Sequence, residues 1–173
     1  MKLYIDFDGV IVDTWPIIVE KYFCKYSTIS VEEEKLRILF NECNWDEILK
    51  KSKKNYKNID VLKKIKSFDV TILTKVNSTS EKIAKENFFN NNSLNINIKT
   101  VNIDSKKSDV VNARNSILID DEIKNLKDWK ESGGVGILYS KNNNNMDSDG
   151  ILNEEFPVIF ELDYEYCIDL LTR

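Results

Sequence analysis

Two pairs of aspartates, each at the end of an apolar run, are the residues of this sequence best suited to chemistry. Asp6 and Asp8 end the first apolar run of the chain, and Asp120 and Asp121 follow the fourth. If both runs are strands of one parallel sheet, the four carboxylates meet at the edge where open α/β sheets bind ligands. Like charges about 4 Å apart repel by about 4 kcal/mol near a protein surface, so this cluster indicates a bound cation. Oxygen ligands without His or Cys favour Mg²⁺ or Mn²⁺.

Each aspartate pair has a plainer explanation when it is taken alone. The Asp-x-Asp-Gly segment at residues 6–9 would also fit a turn or a calcium loop, and Asp120-Asp121 would suit the acidic first turn of a helix that starts near Ile123. Period-two alternation places Asp6 and Asp8 on one side of the strand and Phe7 in the core. The metal-site interpretation therefore depends on both pairs reaching the same edge.

A threonine and two lysines are expected near that edge as well. Thr74 ends the second apolar run, and Lys106 and Lys107 precede the fourth. Taken alone, a threonine there reflects β propensity, and paired lysines in a lysine-rich chain are usually solvated. The order along the chain, Asp-x-Asp, then Thr, then Lys, then Asp-Asp, favours one shared site instead.

Five short apolar runs must position these residues, and helical patterns lie between them. The runs predict strands at residues 2–7, 70–73, 96–101, 116–119 and 135–139. Capping signals and apolar spacing predict helices at 78–89, 104–113, 123–131 and 161–171. Strands that alternate with helices predict right-handed crossovers, so the expected fold is a doubly wound α/β domain with a mainly parallel sheet.

One long helical insertion interrupts this alternation directly after the first strand. Residues 15–57 contain no strand candidate and three helical patterns: 15–26, one opened by Ser30 with Glu33, and one opened by Asn44 with Glu47. The segment is too short for an independent core, so we expect a small cap on a core domain formed by residues 1–14 and 58–173.

Together these residues resemble the haloacid dehalogenase superfamily of phosphohydrolases over about residues 2–140. The segments that look like its four motifs are Asp6-Phe7-Asp8-Gly9-Val10, Thr74, Lys106/Lys107 and Ile117-Leu118-Ile119-Asp120-Asp121. The insertion looks like the superfamily's cap between its first and second motifs. The stretches IDFDGVIVDT, ILTKVNSTSEKIAKENF and ILIDDEIKNLKDW are most similar to the small 5′(3′)-deoxyribonucleotidase-like branch.

The resemblance implies a catalytic role for each aspartate. Asp6 would attack phosphorus and form an aspartyl-phosphate, and Asp8 would protonate the leaving alkoxide and then deprotonate water. Asp6, the Asp8 carbonyl and Asp120 would hold Mg²⁺, with Asp121 contributing directly or through water. Thr74 and Lys107 would hold the phosphate oxygens, and Lys106 remains the alternative lysine.

The resemblance also implies a substrate, a small phosphate ester such as a deoxyribonucleoside monophosphate. Trp15 and Trp45 of the insertion would stack a nucleobase, although such rings also build a cap's own core; the aromatic side chains of the insertion are Trp15, Tyr22, Tyr26, Trp45 and Tyr56. The alternatives are a phosphatase of a sugar phosphate or a nucleic-acid terminus, and a non-catalytic module of the same fold that binds Mg²⁺ or phosphate.

Composition excludes several other classes of protein. The chain of 173 residues has no histidine, which rules out His-centred nucleophile activation and His-ligated zinc chemistry. Its net charge of −4 argues against stable nucleic-acid binding, and no stretch is apolar enough to cross a membrane. Three widely spaced cysteines and no export signal favour a cytoplasmic protein with reduced thiols. The oligomeric state is open, with a homodimer among the alternatives.

Overall fold

The computed structural model of this chain describes residues 2–23, 33–65, 69–163 and 165–167. In chain order its strands are β1 (Lys2–Ile5), β2 (Val12–Asp13), β3 (Lys53–Lys54), β4 (Asp69–Val76), β5 (Asn97–Asn102), β6 (Ser116–Asp120), β7 (Val135–Tyr139) and β8 (Val158–Ile159). Its helices are α1 (Trp15–Ile18), which continues as a π-helical turn at Val19–Phe23, α2 (Glu33–Glu42), α3 (Trp45–Lys51), α4 (Tyr56–Lys64), α5 (Thr79–Asn91) and α6 (Ile123–Glu131).

A parallel six-stranded sheet in the order β5-β4-β1-β6-β7-β8 confirms the predicted fold class. Strand β1 lies inside it, with Ile5 level with Ile72 of β4 and Ile119 of β6. Leu3 and Ile5 join the apolar core on one face, and Tyr4 joins the core on the other. Burial on both faces explains why these strands read as continuous apolar runs instead of alternating ones.

Helix capping follows the sequence closely where the structure describes it. The Ser78 hydroxyl accepts a hydrogen bond from the Glu81 N–H at the start of α5, at 3.1 Å. The Asn44 side chain does the same for the Glu47 N–H in α3. Helix α6 has the predicted bounds. The cap predicted at Ser30 lies outside the described residues.

The predicted helix at residues 104–113 is wrong, because only a short 3-10 turn at Lys107–Asp109 forms there. Side chains of this segment compete for its main chain: Asp109 accepts from the Lys106 N–H at 2.9 Å, and Asn112 accepts from the Arg114 N–H at 3.0 Å. Of the predicted helix at 161–171, residues 165–167 are helical, 161–163 are not, and the others lie outside the described residues.

The prediction that residues 15–57 contain no strand is also wrong. Lys53–Lys54 forms β3, which pairs antiparallel with β2 just before the insertion. A strand of two lysines leaves no alternation to detect, so only tertiary pairing defines it. The π-helical turn that follows α1 carries the first insertion helix to Phe23, and the predicted end at Tyr26 lies outside the described residues. Within the described residues no helix is both long and apolar enough to cross a bilayer.

Candidate active site

A cavity of about 310 Å³ opens at the carboxyl ends of β1, β4 and β6. The turn after β1 contributes Asp6 and Asp8 to its wall, and the segment after β6 contributes Asp121. Trp15 and Trp45 come from the insertion. Residues of the sheet edge and of the insertion therefore line the same cavity.

Lys107 joins the ends of the first and fourth apolar runs. Its ammonium donates hydrogen bonds to Asp6 Oδ1 at 2.7 Å and to Asp120 Oδ2 at 2.6 Å, and all three side chains are buried. Burial works to lower the pKa of Lys107, but Asp120 and Asp6 outweigh it and hold that pKa above its ordinary value. Lys106 instead points to the surface and pairs with Asp128 at 2.7 Å. Of the two lysines, the structure brings only Lys107 to the aspartates.

Three buried aspartates form an oxygen-only cluster at this edge. One carboxylate oxygen each from Asp6, Asp120 and Asp121 lies within 4.8 Å of the other two. Burial raises the pKa of Asp6 to about 7; Lys107 opposes the rise, and Asp120 and Asp8 add to it. Burial and the charge of Asp6 likewise raise the pKa of Asp121 well above its usual range. One lysine does not balance three carboxylates, and their hard oxygen donors fit Mg²⁺.

Gly9 lets the main chain approach this cluster closely. Its φ is +72°, and a Cβ atom at this position would lie 1.8 Å from Asp121 Oδ2. A side chain at residue 9 would therefore displace the Asp121 carboxylate, and only glycine takes this backbone conformation without strain. The glycine of the Asp-x-Asp-Gly segment is explained by this contact.

Asp8 stands beside the cluster with its side chain about one third exposed. Its Oδ1 accepts a hydrogen bond from the Thr14 hydroxyl at 2.7 Å. Its Oδ2 accepts from the Lys85 ammonium at 2.5 Å and lies 3.5 Å from the Thr74 hydroxyl. Phe7 is buried against Phe88 and Phe89 on the opposite side, as the strand alternation predicts. Thr74 is thus near the aspartates, but it is fully buried.

Lys85 and Glu81 also lie at the site, although no motif in the sequence marks them. Both lie on α5 and are buried, and Lys85 Nζ lies 2.7 Å from Glu81 Oε1. A Glu and a Lys four residues apart on a helix usually form an exposed pair, so the spacing did not mark them. Ala84, Phe88 and Phe89 lie on the same face of α5, and this apolar neighbourhood was the available signal.

The two tryptophans named as substrate contacts differ in exposure. Trp15 is 54% exposed at the cavity mouth, and Trp45 is 3% exposed. The Trp45 ring stacks on Phe40 with centroids 6.1 Å apart, and its indole N–H donates to the Phe40 carbonyl. Trp45 therefore belongs to the packed wall of the cavity, whereas about half of the Trp15 side chain is exposed to solvent. Tyr26 lies outside the described residues.

The loop after β7 closes the cavity on the side of Asp121. The Ser148 N–H donates to the Asp121 carbonyl at 2.8 Å, and Asp147 accepts from the Ile123 N–H at the start of α6. Asn125 donates to Asp120 Oδ1 at 3.1 Å. These contacts orient the main chain and the side chains that follow β6. No sequence motif predicts them.

Neither a protein-family model nor a curated protein matches this chain. Solved structures do: a haloacid dehalogenase-like hydrolase from Streptococcus pneumoniae superposes with a TM-score of 0.61 at 14% identity, over 98% of this chain and 97% of the other. D,D-heptose 1,7-bisphosphate phosphatase from Burkholderia thailandensis gives 0.58 at 13% identity, over 99% of both chains. The magnesium-bound HAD-hydrolase YfnB from Bacillus subtilis gives 0.61 at 13% identity, over 99% and 98%. The chain therefore has the fold of the haloacid dehalogenase superfamily.

Proposed function

We propose that this protein is a magnesium-dependent phosphomonoesterase that works through an aspartyl-phosphate on Asp6. The observation that carries the proposal is the buried cluster of Asp6, Asp120 and Asp121, crossed by Lys107 and flanked by Asp8. The heptose bisphosphate phosphatase and the magnesium-bound hydrolase share this fold, which supports a phosphatase.

Asp6 is the nucleophile in this proposal. One of its carboxylate oxygens attacks phosphorus while the bond from phosphorus to the leaving oxygen breaks, which gives the aspartyl-phosphate and an alcohol. Bound Mg²⁺ would supply positive charge that offsets the repulsion between Asp6 and the phosphate. The carboxylates of Asp6, Asp120 and Asp121 and the main-chain carbonyl of Asp8 would hold it. Lys107 adds a fixed positive charge beside the reacting oxygen.

Asp8 moves the proton in both halves of the reaction. Its carboxyl group donates a proton to the leaving oxygen in the first step. In the second step a water attacks phosphorus, its proton passes to Asp8, and the bond from phosphorus to Asp6 breaks. Thr74 and Lys107 hold the non-bridging oxygens in this proposal; Lys107 lines the cavity, and the buried Thr74 hydroxyl lies 3.5 Å from Asp8 Oδ2.

Phosphate release across a panel of esters tests this function. The panel contains deoxyribonucleoside monophosphates, ribonucleotides, sugar phosphates and a 5′-phosphorylated oligonucleotide, each with Mg²⁺ and with a chelator. We expect hydrolysis with Mg²⁺ and a rate at least about 10²-fold lower after chelation, because the cation neutralises charge at the reacting group.

The remaining outcomes separate the alternatives. Hydrolysis that survives complete chelation would contradict the metal site. A preference for sugar phosphates or for the oligonucleotide would replace the nucleotide assignment. Calorimetric Mg²⁺ binding without hydrolysis of any ester would favour a non-catalytic binding module.

We further propose that the substrate is a deoxyribonucleoside monophosphate whose base stacks on Trp15. Trp15 is a large exposed aromatic at the mouth of the cavity that contains the aspartates, and Trp45 forms the wall behind it. A half-exposed aromatic ring that lines the cavity can stack a planar base, and such stacking contributes about 1–3 kcal/mol in other proteins.

Trp15→Ala should therefore raise the Michaelis constant for a nucleotide by about tenfold and change that for p-nitrophenyl phosphate by less than threefold. Tyr56→Ala is the matched control, because Tyr56 is 68% exposed and lies outside the residues that line the cavity. Equal effects of Trp15→Ala on both substrates would show that Trp15 does not contact the base. Steady-state kinetics on the four combinations measures this.

A further inference from the structure

We propose that Lys85, held by Glu81, is a positioning residue that fixes the Asp8 carboxylate for proton transfer. The inference deepens the proposed function and rests on it. Lys85 is 0% exposed although it is a lysine on a helix of the outer layer. Its ammonium reaches across from α5 to the turn after β1 and meets Asp8 Oδ2 at 2.5 Å.

Each of the three N–H groups of the Lys85 ammonium has a hydrogen-bond acceptor within reach. Besides Asp8 it lies 2.7 Å from Glu81 Oε1, 3.1 Å from the Thr74 hydroxyl and 3.0 Å from the Lys75 carbonyl. The rings of Phe7 and Trp45 lie at 5.4 and 6.0 Å, within reach of cation–π attraction; these are its aromatic neighbours among the described residues. The ammonium is therefore confined to one place.

Structure alone gives little reason to bury this lysine. A buried ion pair gains little over an apolar pair of the same volume, since both charges lose their water. The ion pair with Glu81 alone would balance the charge of Lys85 on α5. The Lys85 side chain nevertheless extends to Asp8 and not to solvent. Burial works to lower the pKa of Lys85, and the carboxylates of Asp8 and Glu81 outweigh it, so the ammonium stays charged. A fixed positive charge is thus aimed at one oxygen of Asp8.

The contact between Lys85 and Asp8 gives the two carboxylate oxygens of Asp8 different roles: Oδ2 accepts from Lys85, and Oδ1 remains for proton transfer. An ammonium has only donors, so Oδ2 cannot present a proton toward Lys85. Oδ1 faces the Thr14 hydroxyl, which can donate or accept, and Thr14 lines the cavity. Lys85 therefore leaves Oδ1 as the oxygen that exchanges protons with the leaving group and with water.

The leaving group of the substrate tests this role. Lys85→Met should lower kcat/KM by about 10²-fold for the alkyl phosphate that the wild type hydrolyses fastest, because its alkoxide needs a proton from a correctly placed Asp8. The same variant should lower kcat/KM by less than tenfold for 2,4-dinitrophenyl phosphate, whose leaving group departs without one. Inhibition by inorganic phosphate should change little, because Lys85 is linked to the proposed phosphate contacts only through the Thr74 hydroxyl, at 3.1 Å.

Two further variants keep the test decisive. Glu81→Gln with Lys85→Met removes both buried charges, so it avoids an unpaired carboxylate and should show the same dependence on the leaving group. Lys82→Met is the matched control on α5, because Lys82 is half exposed and pairs with Glu86; it should behave as the wild type with both esters. Melting curves establish that each protein is folded.

The possible failures are distinguishable. A wild type that hydrolyses no ester overturns the proposed function and this inference with it. An active wild type whose folded Lys85 variants lose the same factor on both esters, or bind inorganic phosphate more weakly, overturns the inference and leaves the proposed function standing.

Discussion

Replacing Asp6 by Asn should lower kcat by about 10⁴-fold or more while leaving the fold intact. The amide keeps the size of the carboxylate and can still accept the hydrogen bond that Lys107 donates at 2.7 Å. It is a poor nucleophile, so the aspartyl-phosphate cannot form, and losses of this size follow removal of a nucleophile in other enzymes. Initial rates of phosphate release with saturating Mg²⁺ measure the change.

The same variant separates chemistry from stability. Asp6 repels the buried carboxylates of Asp120 and Asp121, so its neutral replacement should raise the melting temperature of the metal-free protein. A loss of activity in a protein of equal or higher stability then identifies a chemical role.

A control variant and detection of the covalent intermediate test whether the effect is specific to Asp6. Asp60→Asn makes the same substitution on the exposed face of α4, far along the chain from the aspartate motifs, and should leave kcat within twofold of the wild type. Acid-quenched wild type should carry a phosphoryl group that mass spectrometry detects on the peptide containing Asp6. An Asn variant that keeps a tenth of the wild-type rate, or a phosphoryl group found on another aspartate, would contradict the assignment.

Replacing Lys107 by Met should destabilise the metal-free protein by about 3–5 kcal/mol, the usual cost of removing one partner from a buried ion pair. Lys107 is the ammonium that contacts both Asp6 and Asp120, and both carboxylates are buried. Without it, three carboxylates share one site with no positive charge inside it. Denaturant unfolding followed by circular dichroism, in chelator, measures the loss.

Mg²⁺ should restore part of that stability, because a cation bound to the same carboxylates replaces the missing charge. Activity should still fall sharply, since the fixed charge beside the reacting oxygen is gone. Lys106→Met is the matched control: Lys106 is the neighbouring lysine, and its pair with Asp128 is exposed to solvent, so little change in stability is expected. Equal destabilisation by the two substitutions would show that Lys107 has no special place in the acidic cluster.

Strands β1, β4, β6 and β7 were predictable because each contains a short apolar run, and burial on both faces of the sheet demands such runs. Strand β7 has the predicted bounds, and β4 extends the predicted run at both ends. Strands β3 and β8 have two residues each, and no local pattern in two residues distinguishes a strand from a turn. They depend on partners that are distant along the chain.

The site was predictable to the extent that it follows from topology. Parallel strands bring their carboxyl ends to one edge, so the aspartates after β1 and β6 had to approach each other. Choosing Lys107 over Lys106 on geometric grounds required the 3-10 turn, which competing side-chain contacts create in place of a helix.

Helix α5 carries two charged pairs whose burial could not be predicted from the sequence. Glu81 with Lys85 and Lys82 with Glu86 are both oppositely charged pairs four residues apart, yet the first is buried beside Asp8 and the second is exposed. Local spacing is identical in the two cases, so only the packing of the helix face on the sheet separates a site pair from a surface pair.

The short pairing of β2 with β3 has a consequence for how such a protein diversifies. Val12 lies opposite Lys54 and Asp13 opposite Lys53, and the Asn55 N–H donates to the Ile11 carbonyl at 2.9 Å, so the chain returns beside the point where it left. Asp6 and Asp8 come before this junction in the chain, and Asp120 and Asp121 come after it. Segments of other lengths and compositions spliced between its two strands would meet the same fixed ends. The junction therefore lets the insertion change in length and composition during evolution while the sheet edge that carries the aspartates keeps its structure.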